Sequence, residues 1–315
     1  MPKTSSSPGD LVALSQSLVD AVSSAGRALV SIHARPRIPS TGIVWRTGTI
    51  VTADHTIRNE EGVRVTLDDG RTIDAAIGGR DPATDLAVLT VNAANATQHP
   101  TAALGDSDAM RTGHLVLALG RASRDVSAAL GIVSSTVAAQ SRARGSGALD
   151  RLFRLDVSIY DGFSGGALVN AGGEIVGLTT SGFGRGAAMA IPARAVTRIA
   201  EQLLEGGRVR RGHLGVAMQP VRLAPAQARA LGEGIENDTG LIVIGVEPDG
   251  TAAQAGVLVG DIVVLVGNSP VRDVDDVLAA MANTGVGQPL TLGLVRGGAP
   301  VDVTVQLGER PGGRR

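Results

Sequence analysis

A serine, a histidine and a carboxylate can together transfer an acyl group. The hydroxyl attacks a carbonyl carbon, the imidazole takes its proton and returns it to the leaving group, and the carboxylate orients the ring. Candidates for all three occur here in the chain order His55, Asp85, Ser164. Ser164 lies in Asp161-Gly162-Phe163-Ser164-Gly165-Gly166, followed by the apolar run Ala167-Leu168-Val169. Glycines around a serine suit a sharply turned backbone that exposes the hydroxyl and aims amides at an incoming carbonyl oxygen. The amides of Gly162 and Ser164, with Phe163 as a third candidate, are the expected oxyanion donors. Losing one such donor typically costs about a hundred- to a thousand-fold in rate. Alone, the stretch also fits an ordinary polar turn, so the residues upstream decide.

Gly162 to Gly166 also satisfies G-x-S-x-G, the pattern of a nucleophile elbow. That elbow needs a helix directly after the serine, and its acid and histidine further on. Here the turn signal Asn170-Ala171-Gly172-Gly173 and the β-rich run Glu174 to Thr180 follow, and the only later histidine is His213. The elbow is excluded. Upstream, Val51-Thr52-Ala53-Asp54-His55 ends a strand-like run, and Asp85 directly precedes the apolar run Leu86 to Leu89. Strand ends and the loops beyond them are where a rigid scaffold presents chemistry. Asp54 is the neighbour of His55, and neighbours in extended chain point to opposite faces, so Asp85 is the better acid and Asp81 the second choice. His33, His99 and His114 have no companion His, Asp or Glu at ligand spacing. No metal and no cofactor is expected.

The elements that must position these residues read as β. Strand-like runs cover Ala28 to Ile32, Gly42 to Trp45, Thr47 to Thr52, Val63 to Leu67 and Asp85 to Val91, with a hairpin turn at Asp68 to Arg71. A second set covers Leu115 to Leu119, Gly131 to Val137, Leu152 to Ile159, Ala167 to Asn170, Glu174 to Thr180 and Ala187 to Ile191. Two six-stranded β-barrels with a cleft between them suit this pattern. Helices are expected at Asp10 to Ser24, Arg194 to Leu204 and Asp273 to Ala282 from their apolar spacing. The expected division is a leader and helix over 1–26, a catalytic domain over 27–204, a linker over 205–212, a second domain over 213–308 and a tail over 309–315.

Composition sets bounds. A length of 315 residues suits two domains. Aromatics make up only 2%, so the cores must be aliphatic. A net charge of −1 gives no electrostatic reason to expect nucleic acid or an anionic membrane as partner. There is no cysteine, which excludes disulfides and thiolate chemistry, and every basic residue except Lys3 is arginine. No signal peptide and no membrane-spanning run is evident, so the chain as written reads as cytoplasmic, with the cell envelope as the alternative.

Taken together, these motifs resemble the HtrA family of trypsin-like serine proteases with a C-terminal PDZ domain. The resemblance rests on Thr52-Ala53-Asp54-His55, Asp85-Leu86-Ala87-Val88-Leu89, Ser164-Gly165-Gly166-Ala167-Leu168-Val169-Asn170, Gly173 to Gly177, Ala190-Ile191-Pro192 and Arg211-Gly212-His213-Leu214-Gly215-Val216, and it spans roughly residues 27 to 308. It implies a mainly β fold, a chymotrypsin-like double barrel followed by a PDZ domain, and a serine endopeptidase acting on unfolded or misfolded proteins. The alternative is a scaffold or holdase that keeps the site but rarely turns over. Leu178, Thr179 and Thr180 are implied to bind substrate, with cleavage after small or medium aliphatic residues. Backbone amides of His213, Leu214, Gly215 and Val216 are implied to receive a polypeptide C-terminus. A homo-oligomer, a trimer or a multiple of one, is implied, as is a regulatory loop over 138–150. Two departures stand out: Phe163 where the family usually has Asn, and Gly120-Arg121-Ala122-Ser123-Arg124 where it has an Asn-Pro-Phe-Gly-like segment.

Overall fold

The computed structural model describes residues 8–92, 99–138, 149, 151–183, 188–223 and 239–309. The chain forms two compact units, residues 1–142 with 151–209 and residues 143–150 with 210–315. The loop expected to be regulatory lies, apart from Ala138 and Leu149, outside the described residues.

The first unit holds two β-structures, as the mainly β reading requires. The earlier one is built from β1 (Leu29–His33), β2 (Ser40–Arg46), β3 (Thr49–Ala53), β4 (Arg64–Thr66), β5 (Thr72–Asp74), β6 (Ala76–Asp81) and β7 (Leu86–Thr90), in the order β5-β4-β1-β2-β3-β7-β6. Five runs were expected here; β5 and β6 are additional. Only Ala75 separates them, and its N–H donates to the Val63 carbonyl at 2.9 Å. The two ends of the sheet are therefore successive pieces of one segment, and the barrel closes through the chain itself. Its interior is aliphatic, with Val30, Ile32, Val44, Ile50, Ala87 and Leu89 buried together. Each Val, Ile or Leu among them contributes roughly 1.5–3 kcal/mol on burial.

The later barrel is closed by hydrogen bonds in the order β10-β13-β12-β11-β8-β9. Its strands are β8 (Leu115–Gly120), β9 (Ser127–Ala138), β10 (Arg151–Asp156), β11 (Ala167–Asn170), β12 (Ile175–Thr180) and β13 (Ala188–Pro192). Phe153, Leu168, Val176 and Ala190 fill it. Two helices brace the unit. α1 (Pro8–Gly26) buries Ala21 and Ala25 but leaves Leu11, Val12, Leu14 and Val19 exposed. α2 (Ala193–Gly206) buries Val196, Ile199, Ala200 and Leu203 on one face, as helical spacing dictates. It stops at Gly207, whose φ of 69° lets its N–H reach back to the Leu203 carbonyl. α2 approaches β6 so closely that a side chain at Gly79 would meet the Leu203 carbonyl.

The second unit is a sheet of order β15-β16-β17-β19-β20, with β18 pairing β17. Its strands are β15 (Val216–Arg222), β16 (Thr239–Val246), β17 (Ile262–Val266), β18 (Ser269–Pro270), β19 (Pro289–Arg296) and β20 (Ala299–Gln306). Beside it, β14 (Gly212–His213) pairs β21 (Gly308–Glu309). Gly212, expected in the linker, and Glu309, expected in the tail, thus belong to this ladder. The unit has helices α3 (Thr251–Gln254) and α4 (Val274–Thr284). Asp273 starts α4 with a reciprocal capping box to Asp276. Among the described residues no helix is long and apolar enough to cross a membrane.

Candidate active site

His55 sits in a one-turn 3-10 helix, Asp54–Thr56, at the end of β3, and Asp85 immediately precedes β7, the neighbour of β3. Strand pairing therefore brings them together. Asp85 adopts a left-handed backbone, φ 53°, a region that Asp tolerates better than most side chains. This turns its carboxylate back over the histidine. One oxygen accepts from the His55 backbone N–H at 2.9 Å, and His55 Nδ1 lies 2.9 Å from both oxygens. A carboxylate can only accept from a neutral imidazole, so the proton is on Nδ1 and Nε2 is left as an acceptor. The Thr180 hydroxyl, at the end of β12 in the other barrel, donates to the same carboxylate. The Gly182 N–H in turn donates to Thr180 Oγ1 at 2.9 Å. A side chain at Gly182 would run into the Asp85 carboxylate, so this approach requires glycine.

The two other acids have structural duties. Asp54 pairs with Arg80 at 2.6 Å, and Arg80 also reaches the Ile57 carbonyl at 3.0 Å, bracing the turn that carries His55. Asp81 accepts from the Thr84 hydroxyl at 2.7 Å, ordering the bend before Asp85.

Ser164 is 7% exposed, in a turn whose other polar groups are almost all engaged. The Gly165 N–H donates to the Thr179 carbonyl and the Thr179 N–H to the Gly166 carbonyl, both at 2.8 Å. Thr179 Oγ1 donates to the Phe163 carbonyl at 2.8 Å. Thr41 of β2, from the other barrel, donates through its hydroxyl to the Gly162 carbonyl at 2.6 Å and accepts from the Arg121 N–H at 2.7 Å. Arg121 is buried and also donates to the carbonyls of Arg124 at 2.7 Å and of Gly26, the end of α1, at 3.1 Å. Gly162 and Gly165 have φ of 90° and 88°, which explains the glycines.

The candidate oxyanion donors and substrate-binding residues are placed as follows. The Phe163 N–H, a candidate oxyanion donor, is spent on the Tyr160 carbonyl at 3.1 Å, whereas the amides of Gly162 and Ser164 make no backbone hydrogen bond among the described residues. The Phe163 ring is buried against Gly120 and packs edge-on to Tyr160, so the bulk that replaces Asn stays out of the cleft. Leu178, Thr179 and Thr180, expected to bind substrate, are all fully buried in β12. The Thr179 hydroxyl supports the serine turn and the Thr180 hydroxyl supports Asp85.

Sequence reasoning missed Ser181. Its hydroxyl lies 3.1 Å from Ser164 Oγ and 3.5 Å from His55 Nε2, and its N–H donates to Ser164 Oγ at 3.3 Å. No direct hydrogen bond joins Ser164 to His55 among the described residues. The serine hydroxyl is turned toward the end of β12, with Ser181 between it and His55 Nε2.

In the second unit, the four residues expected to receive a C-terminus are variously occupied. His213 is in the β14–β21 ladder, and its Nε2 lies 2.8 Å from a Glu247 carboxylate oxygen. Leu214 is buried, with its carbonyl accepting from the Ala252 N–H at 3.0 Å. Gly215 has φ 75°, and its carbonyl accepts from the Glu247 N–H at 2.8 Å. Val216 opens β15, whose other side is an edge of the sheet.

Comparison with known proteins agrees with this architecture. Residues 40–178 match the trypsin-like peptidase domain family and residues 212–307 the PDZ domain family. A "probable periplasmic serine endoprotease DegP-like" of Brucella suis is 33% identical over 89% of this chain and 54% of its own length. The chain thus spans about half the length of the first curated relatives it matches. A "putative serine protease HhoB" of Synechocystis is 33% identical over 88% of this chain and 68% of its own. The solved structure of an HtrA-type protease, AlgW with a tripeptide, superposes with a TM-score of 0.77 at 32% identity, covering 94% of this chain and 98% of that one. The chain belongs to the HtrA family of trypsin-like serine proteases bearing a PDZ domain.

Proposed function

We propose that this chain is a serine endopeptidase working through an acyl-enzyme, with Ser164 as nucleophile, His55 as general base and acid, and Asp85 as the group that fixes the ring. The Gly162 and Ser164 amides bind the oxyanion. The observation that carries the reading is the His55–Asp85 pair, which leaves Nε2 facing the Ser181–Ser164 hydroxyls. Attack requires Ser164 Oγ to exchange its Ser181 partner for Nε2, a side-chain rotation. Proton transfer by a positioned imidazole then contributes about 10²- to 10⁴-fold.

The substrates are unfolded or misfolded polypeptides. The PDZ unit takes their C-termini at the loop from His213 to Val216, and the peptide adds as a strand to the free edge of β15. The exposed apolar face of α1 supports assembly into a homo-oligomer, a trimer or a multiple of one. A fluorophosphonate probe tests the chemistry: it should label the wild type and fail on Ser164→Ala, and casein digestion should be lost in step. Absence of labelling and digestion in the wild type would instead leave a peptide-binding scaffold.

A further inference from the structure

We propose that a cavity beside Gly162 is a subsite for an acidic side chain of the substrate, within three residues C-terminal to the scissile bond, read by Arg124. The inference rests on the hydrolytic reading above and adds a selectivity to it. The cavity, of about 560 Å³, is walled by both barrels: His33 of β1, Thr66 of β4 and Asp69 and Arg71 of the β4–β5 hairpin on one side, Ala122 and Arg124 on the other. Ala122 joins it to the reacting centre, because a side chain at Gly162 would strike the Ala122 Cβ. The Pro39 carbonyl flanks Gly162 as well. In the proposed reaction the acyl half of the substrate lies along the end of β12, beside Ser181. The leaving half then passes Gly162 and enters this cavity.

The charges select the occupant. Asp69 is spent on Arg71, accepting from its backbone N–H at 2.9 Å and its Nε at 2.6 Å. The Arg71 amide, with its guanidinium, holds that carboxyl below the usual range, so the pair is electrically closed at neutral pH. His33 shares a hydrogen bond with Thr66 Oγ1 at 2.9 Å, and burial, helped by Arg64, pushes its pKa down, leaving it neutral at pH 7. Arg124 is different. Its guanidinium is exposed and makes no hydrogen bond or ion pair among the described residues. Its backbone is fixed from below by Arg121, which donates to the Arg124 carbonyl at 2.7 Å. A held backbone presenting an uncommitted guanidinium to a hydroxyl-lined cavity suits a carboxylate, which it can bind in bidentate fashion.

The test uses internally quenched peptides that differ only by Asp, Ala or Lys at each of the three positions after the cleaved bond. Wild type, Arg124→Ala and Arg124→Glu are compared as full chains. At one position the wild type should favour Asp over Ala by about three- to tenfold in kcat/KM and disfavour Lys. Arg124→Ala should level the preference and Arg124→Glu should reverse it. Equal rates for the three peptides, or a preference that survives Arg124→Ala, would overturn the subsite. A fluorophosphonate, which lacks the leaving-side residues, is run in parallel. Equal labelling of all three proteins shows that they are folded and isolates a failure of the subsite, whereas an unlabelled wild type overturns the hydrolytic reading and the subsite with it.

Discussion

Replacing Thr41 by Val should damage the active site from the opposite barrel. Thr41 is fully buried, and Val keeps its shape and branching while deleting the hydroxyl. That hydroxyl donates to the Gly162 carbonyl at 2.6 Å and accepts from the Arg121 N–H at 2.7 Å. The peptide joining Gly162 to Phe163 is pinned at both ends, its carbonyl by Thr41 and its N–H by the Tyr160 carbonyl. Losing the hydroxyl leaves one buried acceptor and one buried donor unmet. At about 1–3 kcal/mol for each such group, partly relieved by relaxation, the cost is roughly 2–4 kcal/mol. In a unit of this size that lowers Tm by about 5–15 °C. The freed peptide can rotate about Gly162 and misdirect the neighbouring amide, a donor worth about a hundred- to a thousand-fold when wholly lost. Partial misplacement should reduce kcat by about ten- to a hundredfold, with KM little changed because the interaction operates in the transition state. Differential scanning calorimetry and hydrolysis of a quenched peptide measure both effects, and Thr41→Ser should restore both. A Thr41→Val protein with unaltered Tm and kcat would refute the proposition that this hydroxyl holds the nucleophile turn.

Asp85→Asn should lower kcat by about 10⁴-fold at neutral pH with the fold intact, because an amide can present its NH₂ to the ring and favour the wrong tautomer; phosphonylation rates check this. Ser181→Ala removes the hydroxyl that shares a hydrogen bond with Ser164 Oγ, so phosphonylation should speed up by up to about fivefold, the worth of one neutral hydrogen bond. A slower variant would mean that Ser181 assists the nucleophile instead of detaining it. In the PDZ unit, hydrogen bonds from Arg296, then the Leu258 amide, hold the Asp261 carboxyl below its ordinary value against the effect of burial. A depressed folded-state pKa stabilises above the unfolded value, near pH 4, and that stability is lost as pH falls through the folded value. Thermal stability of this unit should therefore decline below about pH 4, and Arg296→Met should flatten the decline, as followed by circular dichroism.

The sequence disclosed the proposed reacting groups better than their supports. His55, Asp85 and Ser164 could be picked out because each ends or begins a recognisable strand or turn, and their order limits the alternatives. Thr41, Thr180 and Ser181 gave no such signal. Their partners lie 121, 95 and 17 residues away, and nothing local marks a threonine that will donate across a barrel interface. Alternation within β12 did not mark Thr179 and Thr180 as buried, because both faces of the strand are covered there. β5 and β6 were missed for a related reason. Gly78 and Gly79 look like a turn, but the absence of a side chain at Gly79 is what admits the Leu203 carbonyl. Hydrophobic pattern reports which surface is covered, not what covers it.

The acid emerges from one half of the catalytic unit and is fastened by Thr180 of the other, while the serine turn is fastened in return by Thr41. A polypeptide with a single folded lobe thus lacks one hydrogen bond to the carboxylate or one to the serine turn, although each keeps the partners in its own lobe. On the proposed mechanism, the full set of supports for both reacting groups exists only once the lobes have docked.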